Sequence, residues 1–281
     1  MSSAASFPPI TFIHLTDLHI GDQGADPGLK SDTASRLAAV VATIQAMQPA
    51  PAFVLVSGDL SNRGDAASYR KLAGLMAPLP MPVLYAAGNH DERAALRAEL
   101  RLPHAESGAQ APCHYDQVVA GVHVIVLDTS VPGQIGGALD DSQFGWLRQR
   151  LDAYPAMPRL LVAHHAPALD EADETGQWET LSLADTRRLR DLLRGHQVAG
   201  MFCGHIHYDR VSNWYGTMLA VATGLHHAKD ILCQDHLSLV QGAGFAVCTL
   251  RPSGLTVEYA PLPATRQEVQ AIDWARLRAK R

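Results

Sequence analysis

Apolar residues follow two alternating patterns along the chain. Compact apolar runs at residues 10–16, 52–57 and 82–87 are typical of buried strands. Between the first two runs, Ser31 or Asp32 is a candidate N-cap for a helix. The apolar residues that follow recur at helical spacing: Leu37, Val40, Val41, Ile44 and Met47. The resulting βαβαβ rhythm predicts an α/β fold.

The alternation continues into the carboxyl-terminal part of the chain. Further strands are predicted at residues 113–119, 122–128, 159–163, 198–203, 218–222, 245–250 and 255–259. No repeat, linker or change of composition divides the sequence, so we expect one domain over residues 1–264, followed by a surface helix at 265–281. The connection at 226–244 is long, and it could form a cap or a contact within a homo-oligomer.

Composition excludes several classes of protein. Of 281 residues, 47% are hydrophobic and 18% are charged, which is ordinary for a folded globular protein. The net charge of -5 argues against a broad basic face, so no nucleic-acid partner is expected. No apolar run approaches the ~18 residues of a membrane span, and the amino terminus lacks the basic start of a signal peptide. We therefore expect no membrane association.

The numbers and spacing of cysteine and histidine limit the kinds of site that the chain can form. The four cysteines show no CxxC pair and no regular spacing, which argues against a disulfide framework or a thiolate zinc site. Their pattern fits a reducing compartment, and a cytoplasmic location is expected. Histidine is abundant, with 14 residues, and many of them are clustered.

Five short polar segments each follow a predicted strand. They are Asp17-Leu18-His19, Gly58-Asp59, Gly88-Asn89-His90-Asp91, His164-His165-Ala166-Pro167 and Gly204-His205-Ile206-His207. The loops beyond the carboxyl ends of strands in an open α/β sheet converge on one crevice, so these segments can meet in space. Each alone could be an ordinary turn or a surface histidine pair. Together, with oxygen and imidazole donors and no thiolate, they predict a site for divalent metals.

In identity, order and spacing these segments resemble the motifs of the calcineurin-like metallophosphoesterase superfamily, which read D-x-H, G-D, G-N-H-D/E, H and G-H-x-H. The block G-D-L-S-N-R-G-D-A-A-S-Y at residues 58–69 and the H-H-x-P form of the fourth motif are similar to one branch of it. That branch holds class III cyclic-nucleotide phosphodiesterases and glycerophosphodiesterases. The resemblance covers residues 10 to about 210. It implies a four-layer α/β/β/α sandwich of two mixed sheets flanked by helices.

Carried over residue by residue, the resemblance implies two divalent metal ions, and the donors are compatible with Fe, Mn, Zn or Co. The implied ligands are Asp17, His19 and His207 for the first ion, Asn89, His165 and His205 for the second, and Asp59 as a bridge between them. His165 is preferred to His164 because the family's ligand stands two residues before the proline, here Pro167. His164 would then be a packed or supporting residue.

His90 and Asp91 are the candidate catalytic residues. His90 follows Asn89 directly, so it is placed to bind the phosphoryl group and to protonate the leaving oxygen. Asp91 would orient His90 by accepting its other ring N–H, or would cap a helix that starts at Glu92.

Three more residues are candidates for substrate binding. His227 matches, in register, a histidine near the substrate in the glycerophosphodiesterase branch; a plain loop histidine is the alternative. Asn62 and Arg63, just beyond Asp59, could reach the substrate or hold a metal ligand, and a solvated turn is the alternative for both.

The expected activity is hydrolysis of a small phosphodiester, either a cyclic nucleotide or a glycerophosphodiester, by a metal-bound hydroxide. A phosphomonoesterase of the same fold is the first alternative, because pocket walls rather than metal ligands separate the two substrates. A non-catalytic binding scaffold is the second alternative. It is disfavoured because a scaffold has no physical need for the complete set of ligands.

Overall fold

The computed structural model describes residues 7–103 and 108–262. Its strands are β1 (Ile10–Leu15), β2 (Val54–Ser57), β3 (Val83–Ala86), β4 (Tyr115–Val119), β5 (Val122–Val126), β6 (Arg159–Val162), β7 (Gly200–Cys203), β8 (Arg210–Trp214), β9 (Thr217–Val221), β10 (Ala228–Lys229), β11 (Leu239–Val240), β12 (Ala243–Arg251) and β13 (Gly254–Leu262). Its helices are α1 (Thr33–Ala46), α2 (Ala66–Met76), α3 (Arg93–Leu100), α4 (Asp141–Ala153) and α5 (Leu183–Leu193), with a 3-10 turn at Gly176–Glu179.

The strands form two mixed sheets. The first has the order β13-β12-β1-β2-β3, and the second has the order β4-β5-β6-β7-β9-β8. The central strands of each sheet run parallel to one another, while β12 and β13 in the first sheet and β4 and β8 in the second are antiparallel to their neighbours. The short β10–β11 pair is a separate hairpin.

Successive side chains of a strand point to opposite faces of its sheet, so they contribute to two different hydrophobic cores. On β7, Phe202 joins the core between the sheets, whereas Met201 and Cys203 join the core beneath α4 and α5. The rings of Phe12 on β1 and Phe202 meet edge to face at 5.3 Å, so the two sheets pack directly on each other. Helices α1, α2 and α3 cover the other face of the first sheet. The predicted α/β/β/α sandwich is confirmed.

The structure also refines the predicted elements. Strand β8 was not predicted, because its residues alternate between partly buried and exposed positions at a sheet edge. Asp32 rather than Ser31 caps α1, since its carboxylate accepts the Ser35 N–H. The predicted surface helix at 265–281 lies outside the described residues. Within 7–103 and 108–262, no helix has the length and apolar character to cross a membrane.

Candidate metal centre

The five polar segments meet at one edge of the two sheets. Each follows the carboxyl end of a strand, namely β1, β2, β3, β6 or β7. Backbone hydrogen bonds join the loops: the Asp17 N–H donates to the Gly58 carbonyl at 3.0 Å, and the Gly204 N–H donates to the His164 carbonyl at 2.9 Å. The sheet topology therefore collects residues that are far apart in sequence, as expected for an open α/β sheet.

Several of the candidate ligands have a left-handed backbone. Among non-glycine residues with positive φ are Asp17 at 49°, His19 at 42°, Asp59 at 48°, His205 at 75° and His207 at 53°. This conformation is uncommon for residues with a side chain, and it persists only where surrounding contacts enforce it. Here it turns each donor out of the strand direction and towards the shared edge.

Two glycines of the motifs are required by close approach. A Cβ atom at Gly58, whose φ is 98°, would lie 2.5 Å from His164 Nδ1. A Cβ atom at Gly88 would overlap Asp59 Oδ1 and its backbone nitrogen. Any side chain at either position would push a candidate ligand away, which explains why glycine precedes Asp59 and Asn89.

One group of donors is formed by Asp17, His19 and His207. His207 Nε2 lies 3.2 Å from Asp17 Oδ1 and 3.4 Å from His19 Nε2. All three residues are buried, and their donor atoms fall within 4.8 Å of one another. Two imidazole nitrogens and a carboxylate oxygen thus converge on one point.

A second group lies beside the first, with Asp59 between them. His164 Nε2 is 3.1 Å from Asn89 Oδ1 and 3.3 Å from Asp59 Oδ2. Asp59 Oδ2 is also 3.6 Å from His19 Nε2 in the first group. His205 completes the second group, since its donor atom lies within 4.8 Å of those of His164 and His165.

Outward hydrogen bonds fix the orientation of four of these imidazoles. The Nδ1–H groups of His19, His164 and His207 donate to Asn62 Oδ1, the Ser57 carbonyl and the His227 carbonyl, at 2.8, 2.9 and 3.1 Å. The Nε2–H of His205 donates to the Trp178 carbonyl at 2.8 Å. Each ring is therefore left with its other nitrogen free to face the cluster, the usual arrangement for a metal-ligating histidine.

His165 is arranged differently from its neighbour His164. Its Nε2–H donates to the Ile135 carbonyl at 2.8 Å, and its Nδ1 lies 2.8 Å from the Thr129 hydroxyl. That hydroxyl already accepts the His165 backbone N–H at 3.2 Å, so its own proton can go to Nδ1. Both ring nitrogens of His165 are therefore engaged, whereas His164 Nε2 points at Asp59 and Asn89.

At this site, burial and neighbouring charges shift the pKa values of the buried side chains in opposite directions. Burial lowers the pKa of His164, but the adjacent Asp59 outweighs it and raises that pKa to about 9. Burial would raise the pKa of Asp59, yet His164 holds it well below its usual range. For Asp17 the same balance, with His207 as the partner, also leaves the pKa lowered. Both carboxylates are thus ionised, the form that binds metal ions.

His90 is exposed beside Asp59, and its ring is held by a hydrogen bond and by a ring contact. Its backbone N–H donates to Asp59 Oδ1 at 2.9 Å, and its Nδ1–H donates to the Asn62 carbonyl at 2.8 Å. Its ring meets that of His19 edge to face at 4.7 Å. His90 therefore lies against the cluster with Nε2 available.

The predicted roles of Asp91 were wrong. The His90 ring N–H that Asp91 was expected to accept goes to the Asn62 carbonyl. Each carboxylate oxygen of Asp91 accepts two other bonds, from Leu60 N, Gly88 N, Ser61 N and the Tyr69 hydroxyl. The cap of α3 is Glu92, whose carboxylate accepts the Ala94 and Ala95 N–H groups. Asp91 instead ties the Asp59 loop to the Asn89 loop.

Asn62 holds a candidate metal ligand. Its Oδ1 accepts the His19 Nδ1–H, and its Nδ2 donates to Asp26 Oδ2 at 2.6 Å. Arg63 is exposed and lines a cavity of about 630 Å³ between the 21–26 loop and the start of α2. Of the three alternatives weighed for Asn62, namely substrate contact, support of a metal ligand and a solvated turn, support of a ligand fits both of its contacts.

His226 and His227 border the first group of donors. The ring of His227 stacks on that of His207 at 4.2 Å with an interplanar angle of 13°. The ring of His226 is 4.7 Å from that of His19, and its Nε2 accepts the Lys30 N–H at 3.0 Å. The role of His227 in substrate binding stays a prediction.

Sequence reasoning missed the residues that support the cluster. Asp26 bonds Asn62, Thr129 bonds His165, Tyr69 bonds Asp91, and the Trp178 carbonyl bonds His205. Two signals were available in the sequence: Thr129 follows β5 at the same sheet edge, and Tyr69 ends the block at residues 58–69. Asp26 lies in a loop and Trp178 in the 3-10 turn, and no periodic pattern predicts the position of either.

Two packed sheets with carboxylate and imidazole donors gathered at one edge define a metallophosphoesterase fold and site. The chain matches the calcineurin-like phosphoesterase family over residues 10–209. It belongs to that family, as the resemblance predicted.

Relatives support this assignment, and a solved structure shares the fold. A cAMP/cGMP dual specificity phosphodiesterase of Mycobacterium tuberculosis is 32% identical over 230 residues, which are 80% of this chain and 70% of that protein. A probable glycerophosphodiester phosphodiesterase GpdQ of Arcobacter nitrofigilis is 26% identical, over 76% of this chain and 78% of that protein. The purple acid phosphatase PPD1 of yellow lupin has a TM-score of 0.64 at 15% identity, over 91% of this chain. The chain spans 52% of the length of that phosphatase. At 15% identity this similarity supports the fold and nothing further.

Proposed function

We propose that this chain is a binuclear metal-dependent phosphodiesterase that hydrolyses small phosphodiesters. The observation that carries the proposal is the position of Asp59 between two groups of donors. One oxygen, Oδ2, lies 3.6 Å from His19 Nε2 on one side and 3.3 Å from His164 Nε2 on the other. A carboxylate placed in this way can be shared by two cations about 4 Å apart.

The donors fit two divalent cations. Asp17, His19 and His207 would hold the first, Asn89, His164 and His205 the second, with Asp59 shared. His164 takes the place predicted for His165, because its Nε2 faces Asp59 and Asn89 while both nitrogens of His165 are engaged. Imidazole, amide and carboxylate donors without sulfur are compatible with Fe, Mn, Zn or Co.

The geometry also suggests how the chain acts on a phosphoester. When bound, two such cations supply an activated water near neutral pH and stabilise charge on the phosphoryl oxygens. His90 is held through its Nδ1–H by the Asn62 carbonyl, so its imidazolium form can present the Nε2 proton to the leaving oxygen. An alkoxide is a poor leaving group, so this proton transfer matters most for diesters of alcohols.

The relatives support a diester rather than a monoester as substrate. A protein named as a cAMP/cGMP phosphodiesterase is 32% identical to this chain, and one named as a probable glycerophosphodiester phosphodiesterase is 26% identical. We therefore propose cyclic nucleotides as the preferred diesters. A diester also carries one negative charge fewer than a monoester dianion, which suits a pocket whose positive charge comes mainly from the cations.

Metal analysis and a substrate panel test the proposal. Two equivalents of divalent metal per chain are expected in the purified protein, and Asp59→Asn should lose metal. The protein should cleave bis(p-nitrophenyl) phosphate with a higher kcat/KM than p-nitrophenyl phosphate under one metal condition. Cyclic AMP should then be a better substrate than glycerophosphoethanolamine. A clear preference for the monoester would contradict the proposed phosphodiesterase activity and would indicate a phosphomonoesterase instead.

A further inference from the structure

An exposed tryptophan borders the second group of donors. The Trp178 carbonyl accepts the Nε2–H of His205 at 2.8 Å, yet 45% of the residue is exposed. Trp178 is one of several large apolar side chains that are exposed in the described residues, and its backbone hydrogen bond to His205 places it beside the polar cluster. The backbone of Trp178 is thus fixed at the site while much of its ring is left uncovered.

The neighbouring loop adds a second apolar side chain. The Ile135 carbonyl accepts the Nε2–H of His165, and Ile135 is 59% exposed. The two loops are in contact, since a Cβ atom at Gly136 would come within 3.3 Å of Trp178 Cα. Ile135 and Trp178 therefore form an apolar border on the His165 and His205 side of the cluster.

The Trp178 ring has a charged neighbour, Lys229. The Lys229 ammonium lies 5.7 Å from the centroid of the Trp178 ring and 5.6 Å from that of Tyr208, and it is ion-paired with Glu179. Lys229 is itself placed by the cluster, because its backbone N–H donates to the His207 carbonyl at 2.9 Å. A cation near an indole helps to orient it, and the 45% of Trp178 that is exposed can take another ring.

We infer that Trp178 is the stacking platform for the base of a nucleotide substrate, with Ile135 extending the apolar surface. This inference rests on the proposed phosphodiesterase function. A cyclic nucleotide carries its base one ribose away from the phosphorus, so a phosphate held beside His205 brings the base to the residues that border the second group. Stacking on an aromatic side chain is favourable for every base and needs no hydrogen-bond partner.

Substitution of Trp178 should impair cleavage of diesters that carry a base and leave cleavage of diesters without an aromatic ring unchanged. We expect Trp178→Ala to raise the KM for cyclic AMP about tenfold, a typical effect of losing one stacked base, with kcat changed less than about twofold. Glycerophosphoethanolamine, which has no ring, should be cleaved with unchanged kinetics. Trp178→Phe should restore most of the affinity for cyclic AMP, because it keeps an aromatic face.

A binding measurement and a control variant complete the test. The product AMP should quench tryptophan fluorescence in the native protein and not in Trp178→Phe. Val118→Ala, an exposed apolar position on β4 in another part of the fold, should leave both diesters unaffected. Equal loss of activity towards both diesters, or no change towards cyclic AMP, would overturn the assignment of Trp178. If the native protein cleaves only monoesters, the phosphodiesterase proposal fails, and a Trp178→Ala comparison of AMP with glycerol 3-phosphate still decides the role of the ring.

Discussion

His164 Nε2 lies 3.3 Å from Asp59 Oδ2. Both side chains are buried, and they follow strands of different sheets. The next residue, His165, has both ring nitrogens engaged by Thr129 and Ile135. Adjacent histidines therefore occupy different positions relative to the cluster, and this difference can be measured.

We expect His164→Ala to lose one metal equivalent and to lower kcat by at least about 10², because an inward-facing ligand of the second cation is removed. His165→Ala is the matched control. It should keep two equivalents of metal and lose some stability through its broken hydrogen bonds. Metal content by elemental analysis and thermal unfolding report the two effects separately. The reverse pattern would restore His165 as the ligand.

Asp59→Ala should remove both metals or nearly all activity. Asp59 is the carboxylate between the two groups, and without it two adjacent cations would lack shared negative charge. Metal content and turnover of bis(p-nitrophenyl) phosphate are the measurements. Full turnover with two bound metals would show that the two groups do not share this residue.

His90→Ala should keep both metals and lower kcat by roughly 10² to 10⁴, the usual size of a proton-transfer contribution. The loss should be smaller for p-nitrophenyl leaving groups than for alcohols, because a phenolate leaves without a proton more readily. His227→Ala provides a comparison at a nearby histidine. Loss of metal in His90→Ala would place this residue among the ligands.

Asn62→Ala should weaken binding of the first cation about 10- to 100-fold, since the hydrogen bond that orients His19 is lost. Raising the metal concentration should restore most of the activity. The control is Asn213→Ala, which removes an exposed asparagine near the end of β8 whose side chain accepts the Gly216 N–H. Titration of activity with metal distinguishes this effect from a loss of substrate binding, which added metal would not repair.

His14 should make stability fall with acid. It is fully buried on β1, and burial lowers its pKa to about 3 from an ordinary value of 6.5. Between these two values the unfolded state binds more protons, so the free energy of unfolding falls as pH drops from about 6.5, by ~1.4 kcal/mol per pH unit from this residue. His14→Gln should reduce the slope by that amount, measured by urea unfolding between pH 4.5 and 6.5. His196→Gln, on a partly exposed histidine, is the control. Equal slopes in His14→Gln and the native protein would contradict the prediction.

The sequence by itself determined the architecture and which polar segments meet at the cluster. Apolar runs and helical spacing are local patterns, so they predicted most strands and the helices that flank them. The polar segments that contain Asp17, Asp59 and His207 each follow a strand, and the topological rule for α/β sheets was enough to bring them together. The edge strand β8 was missed because its burial is only partial.

Only the tertiary structure decided which face each side chain presents. His164 and His165 are adjacent in sequence, and their partners Ser57, Thr129 and Ile135 come from other parts of the chain. Asp91 was assigned to the wrong partner for the same reason, since the Leu60 and Ser61 N–H groups that bond its carboxylate belong to a neighbouring loop. A motif shows which residue carries a donor atom. The direction in which that side chain points depends on left-handed turns and on hydrogen bonds made by residues distant in sequence.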